Sequence, residues 1–239
     1  MPRFAEYSWL LEGEVRQKGM EVNLVQALAV YAVPLILAIT LHEAAHGYVA
    51  RHFGDVTAWR AGRVSLNPLR HVDLVGTIIV PLLLLATSKL FGGGGILFGW
   101  AKPVPVNFQA LRRPKRDMLW VAAAGPFANL LMALAWALLL KLGSVTPDNY
   151  FSVPMSLIAE AGVAVNVILM VLNLLPILPL DGGRIAVSLL PERMAAVYAR
   201  SEPFGFPILL LLIFTNLLGA IIAPMVSVSI LAIEVLFQL

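Results

Sequence analysis

The sequence predicts an all-α polytopic membrane protein, with about five to six transmembrane helices and a re-entrant extended or β segment near residues 96–107. Three observations lead there. Of the 239 residues, 59% are apolar and 13% charged, and a mean hydropathy of +0.85 leaves more hydrocarbon than one soluble core can hide. Apolar runs able to cross a bilayer, at about 20 residues each, recur along the chain. The charges gather in the connections between those runs. No polar stretch is long enough to fold alone, so residues 22–239 read as a single membrane domain.

Residues 1–21 are an N-terminal extension that mixes both charge signs and lacks the pattern of a signal peptide. They could form a short interfacial helix through Phe4, Tyr7, Trp9, Leu10 and Leu11, or precede a start at Met20. The first apolar run, Val22 to Leu41, has Asn23 and Gln26 as its only strongly polar members and leads into His42-Glu43-Ala44-Ala45-His46. Four residues separate the two histidines, so on a helix both imidazoles reach one metal ion from one face. Glu43 points elsewhere, close enough to take a proton from a water at that metal. Ionisable groups deep in a transmembrane helix cost about 2.5 to 3.5 kcal/mol each on insertion scales, so they usually line a cavity and act there.

A second run lies at about 74–91 and is followed by Phe91-GGGG-Ile96 and the Pro103 and Pro105 segment. Those prolines exclude a helix interior, and one crossing at 74–91 would put the basic connections before and after it on opposite sides, so residues 96–107 read as an extended re-entrant edge able to bind an extended substrate by strand addition, with a Pro/Gly-rich surface loop as the alternative. Further runs lie at 118–142, 155–178, 206–222 and 224–239. The last ends in Glu-Val-Leu-Phe-Gln-Leu, which partly resembles a viral protease cleavage tag but continues the apolar pattern, as a natural chain end would. The fourth run, 155–178, leads to Asp181, one of five aspartates, in front of two glycines.

Basic residues set the expected orientation. Arg51, Arg60, Arg63 and Arg70, then Arg112, Arg113, Lys115 and Arg116, then Arg184, Arg193 and Arg200 mark three connections as cytoplasmic, with the N-terminus outside. The fourth run then travels inward, so Asp181 arrives at the depth of His42 and His46. Two histidines leave a catalytic zinc one protein ligand short, and with no cysteine in the chain that ligand must be His or carboxylate. Asp181 is the candidate; capping the helix that starts near Gly182 is its alternative use.

His42-Glu43-Ala44-Ala45-His46, the N-x-x-P-x-x-P-x-D-G-G pattern at 173–183, GWAKPVPVN at 99–107 and AAAGPFANLLMA at 122–133 together resemble the site-2 protease family of membrane zinc metallopeptidases. The likeness runs from about residue 22 to 222. It implies one Zn2+ per chain held by His42, His46 and Asp181, Glu43 as general base, and Asn173 holding substrate or the developing oxyanion. It further implies cleavage of a transmembrane or membrane-adjacent segment of another protein, often to release a regulator. The PDZ and CBS modules of other members are absent between these motifs. The expected partners are a transmembrane substrate and the lipid bilayer, and the expected setting is the plasma membrane of a prokaryote, active site toward the cytoplasm.

Other polar residues carry weaker signals. His71 and Asp73 could form a second metal or gating site, or serve an interfacial loop; His52 reads as a solvated helix end. Asn129 could bond across the bundle or position substrate, and Glu160 and Asn166 could mark a hydrated path. A divalent-cation transporter is the competing class, but it calls for repeated or inverted ligand clusters, and the chain shows one site and no internal repeat. P-loops, dinucleotide fingerprints and a basic aromatic stripe for nucleic acid are also absent.

Overall fold

The structure, a computed structural model, describes residues 16–17, 20–21, 24–79, 101–145 and 152–239. Within the N-terminal extension, Arg16–Gln17 pairs antiparallel with Met20–Glu21; its aromatic residues lie outside the described set. Every described residue that follows is helical or irregular. Helix α1 spans Leu24–His52, α2 Thr57–Arg60, α3 Pro114–Val145, α4 Ser152–Leu174, α5 Asp181–Leu189, α6 Glu192–Ala199, α7 Glu202–Phe214 and α8 Leu217–Phe237.

The first apolar run ends at Leu41 in the sequence, yet α1 continues through the His-Glu motif to His52. Alanine and glutamate there favour helix, and Arg51 and His52 in the last turn complement its dipole. At 29 residues α1 is about 44 Å long, more than the hydrocarbon core of about 30 Å. The motif is thus mounted on regular helix, with its histidine spacing enforced by the backbone.

Four segments among the described residues are long and apolar enough to span a membrane: Val30–His52, Pro114–Ser144, Ser152–Asn173 and Leu217–Phe237. A fifth arises if α6 and α7, bent by 59°, make one crossing. The sequence reading of five to six includes the run at 74–91, of which only a π-helical turn at Leu74–Ile79 is described. The last two runs divide elsewhere than expected. Pro224 sits inside α8 without ending it, whereas the chain breaks at Thr215 and at Asn216, whose φ of 56° is the left-handed conformation asparagine tolerates.

Small side chains dominate the contact between α3 and α4, and many large apolar ones face out. Ala133 and Ala137 of α3 meet Ala159, Val163 and Val167 of α4, with Ile222, Ile230 and Ile233 of α8 closing the cluster. At Gly162 of α4 a Cβ would collide with the Trp136 ring, so glycine lets α3 and α4 approach closely. Val228 and Val235 are 67% and 71% exposed and Leu131, Leu138 and Leu142 are exposed too. That distribution suits lipid on the outside and small-residue contact between helices.

Of the segment expected to re-enter, residues 96–100 lie outside the described set. Residues 101–107 run without helix or strand and are pinned to α1 and its connection by their own backbone. Lys102 N–H donates to His71 O at 2.8 Å, Val104 N–H to a Glu43 carboxylate oxygen at 2.8 Å, and Asn107 N–H to the buried Asp55 carboxylate at 2.6 Å.

Candidate metal centre

Three buried side chains from two helices converge. His42 Nε2 and His46 Nε2 are 3.1 Å apart, and Asp181 Oδ2 lies 3.2 Å from the first and 3.3 Å from the second. Among the described residues this is the one cluster of three such side chains placed to hold a metal ion.

Helix α3 fixes both rings. His46 Nδ1 donates to Val121 O at 2.7 Å and His42 Nδ1 to Asn129 Oδ1 at 2.6 Å. Val121 and Asn129 are eight residues apart, about 12 Å along the axis, against about 6 Å between the histidines. Helix carbonyls point toward the C-terminus and side chains lean toward the N-terminus, so the two groups close most of that gap. Gly125 sits midway. A Cβ there would strike Nε2 of both histidines, so glycine keeps the position between the rings open.

Asp181 reaches the cluster because α4 stops. Prolines at 176 and 179 cannot continue a helix, and residues 175–180 turn the chain so that α5 begins at Asp181. Gly182 lies where any Cβ would meet the Leu174 and Leu175 carbonyls, which lets the first turn of α5 pack on the end of α4. The capping alternative does not describe this residue. Leu180 is the N-cap and no side chain caps the helix. Asp181 Oδ2 is buried with no hydrogen-bond donor.

The donor set fits zinc. A carbonyl only accepts, so His46 carries its proton on Nδ1 and, as a neutral ring, turns the Nε2 lone pair toward Asp181. A lone pair and a carboxylate oxygen at 3.3 Å call for a cation between them. The points equidistant from the three donor atoms start about 1.85 Å from each, in their plane, so an ion slightly off that plane would reach Zn–N and Zn–O bonding lengths of about 2.0–2.2 Å.

The other sequence candidates fall elsewhere. Glu43 is half-buried, and its carboxylate accepts from Val104 N–H. Asn173, in the last turn of α4, donates its amide to Leu169 O at 3.0 Å, and among the described residues no hydrogen bond joins it to the three converging side chains. His71 is buried and donates from Nε2 to Ser65 O at 2.8 Å, while Asp73 Oδ1 accepts from Val75 and Gly76 N–H and caps the turn that follows. Exposed His52 packs edge-on against Phe53. The Val104 amide and the Val121 carbonyl were not read from the sequence, since backbone groups carry no residue signal. Gly125 and Asn129 had one: their spacing of four repeats that of His42 and His46 on a second helix.

Known proteins are similar to this chain in sequence. The sequence model described as Peptidase family M50 matches residues 148–216, which hold α4, Asp181 and α7. YwhC of Bacillus subtilis, named as a candidate zinc metalloprotease, is 36% identical over 206 residues, covering 82% of this chain and 84% of that protein. Rip2 of Mycolicibacterium smegmatis, named in the same way, is 33% identical over 185 residues, covering 77% of this chain and 66% of that protein. Rip2 of Mycobacterium tuberculosis is 34% identical over 182 residues, covering 74% and 63%. No solved structure gives a significant match.

Proposed function

Because the chain belongs to Peptidase family M50, the site-2 protease family of zinc metalloproteases, we propose that it hydrolyses peptide bonds in or beside transmembrane segments of other membrane proteins. The observation that carries this reading is the convergence of His42, His46 and Asp181 to 3.1–3.3 Å inside an apolar helical bundle. A hydrolytic centre buried among membrane helices suits a substrate that is itself in the membrane.

In this reading His42, His46 and Asp181 hold one zinc ion. When bound, zinc is a Lewis acid that acidifies water and polarises a peptide carbonyl. Glu43 takes the proton from the attacking water and delivers it to the leaving amine nitrogen, so both the new C–O bond and the broken C–N bond are served by one carboxylate. Val104 N–H fixes that carboxylate by one oxygen and leaves the other for the proton. Asn173 supplies an amide donor to the oxyanion, exchanging its bond to Leu169 O for one to substrate. The extended 101–107 segment, adjoining Glu43, receives the substrate strand.

Residues 22–239 act as one membrane domain of five to six spans, 1–21 being an extension. The basic connections favour a centre toward the cytoplasmic side, in our reading that of a prokaryotic plasma membrane, where cleavage releases the cytoplasmic part of a membrane-held regulator.

The test is cleavage of a panel of single-span substrates in liposomes, wild type beside Glu43→Gln, with zinc measured on both. The wild type is expected to cut, and the variant to keep its zinc while its rate falls by about 10²–10⁴-fold. A wild type that binds zinc and cuts no membrane-embedded substrate, while cutting a soluble peptide, would sink the intramembrane reading.

A further inference from the structure

The two imidazoles are held by partners of different kinds. Val121 offers a carbonyl, which leaves His46 no choice of tautomer. Asn129 offers an amide, whose oxygen requires a proton on His42 Nδ1 and whose nitrogen requires a lone pair there. A reversed amide would move the His42 proton to Nε2, into the space facing His46 and Asp181. Something must decide between the two.

The decision is made one helix farther back. Asn166 Nδ2 donates to Gly162 O at 2.8 Å, and because that carbonyl only accepts, Asn166 Oδ1 is turned toward α3. Asn129 Nδ2 donates to this oxygen at 3.0 Å and, more weakly, to Ala38 O at 3.4 Å. Asn129 Oδ1 is therefore left facing His42, whose Nδ1 donates to it at 2.6 Å. Each link admits one direction only. Both asparagines are 0% exposed, so no solvent competes, and a reversed amide would leave several buried groups unpaired.

We propose that Asn129 and Asn166 form a directed hydrogen-bond relay, from the Gly162 carbonyl to His42, that sets the tautomer and ring plane of His42 for metal binding. They are positioning residues that act through His42, as outer-shell partners of metal-ligating histidines do. Residues on α1, α3 and α4 are thereby coupled through one chain of bonds. This inference rests on the zinc reading above.

The experiment measures zinc affinity of the purified full chain in detergent by competition with a chromophoric chelator, together with the visible bands of the cobalt-loaded protein. Asn129→Leu is expected to weaken zinc about 10–100-fold and shift the cobalt bands. Asn129→Asp, which keeps an acceptor for His42 Nδ1–H, is expected to recover at least fivefold of that loss. Asn166→Leu frees the Asn129 amide to reverse and is expected to cost about tenfold or less. Equal affinity for wild type, Asn129→Leu and Asn129→Asp, with only melting temperature changed, overturns the proposal. If the variants do not fold, the zinc-loaded wild type labelled with 15N-histidine decides: both metal-bound rings are expected to carry metal on Nε2 and a proton on Nδ1, and a ring bound through Nδ1 overturns it. A wild type that binds no zinc fails the zinc reading instead, which keeps the two outcomes apart.

Discussion

At the scale of single residues, the centre depends as much on an absent side chain as on those present. Gly125→Ala puts a methyl against Nε2 of both histidines. Helix propensity alone would favour alanine by about 1 kcal/mol, so helix formation and metal binding should part company. We expect helical content to be retained and bound zinc per protein to fall at least about tenfold, read by metal analysis beside circular dichroism. The converging His42 and His46 were legible in the sequence because one helix carries them at metal-ligand spacing, and Asp181 because a cysteine-free chain with five aspartates leaves few candidates. The hydrogen bond from Val104 N–H to Glu43 was not, because any residue but proline brings the same donor.

At the scale of elements, the 101–107 segment is tied by that bond to Glu43, the proposed general base. Val104→Pro removes the donor, while Val104→Ala keeps it. Hydrogen bonds to charged groups contribute about 1.5–3 kcal/mol, so the proline variant is expected to lose about 10–100-fold in kcat/KM with zinc content unchanged, and the alanine variant far less. Apolar runs announced the helices, yet their ends were set by features hydropathy does not register. Alanine and glutamate prolong α1 past the run, and the break after α7 falls at Asn216, held in the left-handed conformation, while Pro224 is absorbed within α8. The run read to residue 178 also overshoots, because α4 ends at Leu174, just ahead of the prolines at 176 and 179, which cannot continue a helix.

At the scale of the whole molecule, two helices and the start of a third meet at one ion site, so zinc should bind the folded bundle and not the unfolded chain. At about 100 times its dissociation constant a ligand adds about 2.7 kcal/mol of stability. Chelation should lower the melting temperature of the wild type and added zinc restore it, while Asp181→Ala should respond to neither; a thermal-shift assay checks this. Absence of native cysteine also makes orientation measurable. Single cysteines replacing Arg60, Arg113 and Arg193 are all expected to label from the cytoplasmic side of oriented vesicles. The pairing of His42 with Asn129 and of His46 with Val121 carries one more consequence. Sliding α3 by a single turn, about 5.4 Å, would set Asn129 beside the wrong ring and carry Gly125 away from both. The smallest unit that could be transplanted into another scaffold is consequently an antiparallel helix pair in fixed register, with the Asp181 turn docked on it, and a five-residue graft of His42 to His46 alone would arrive without the surroundings that make it a site.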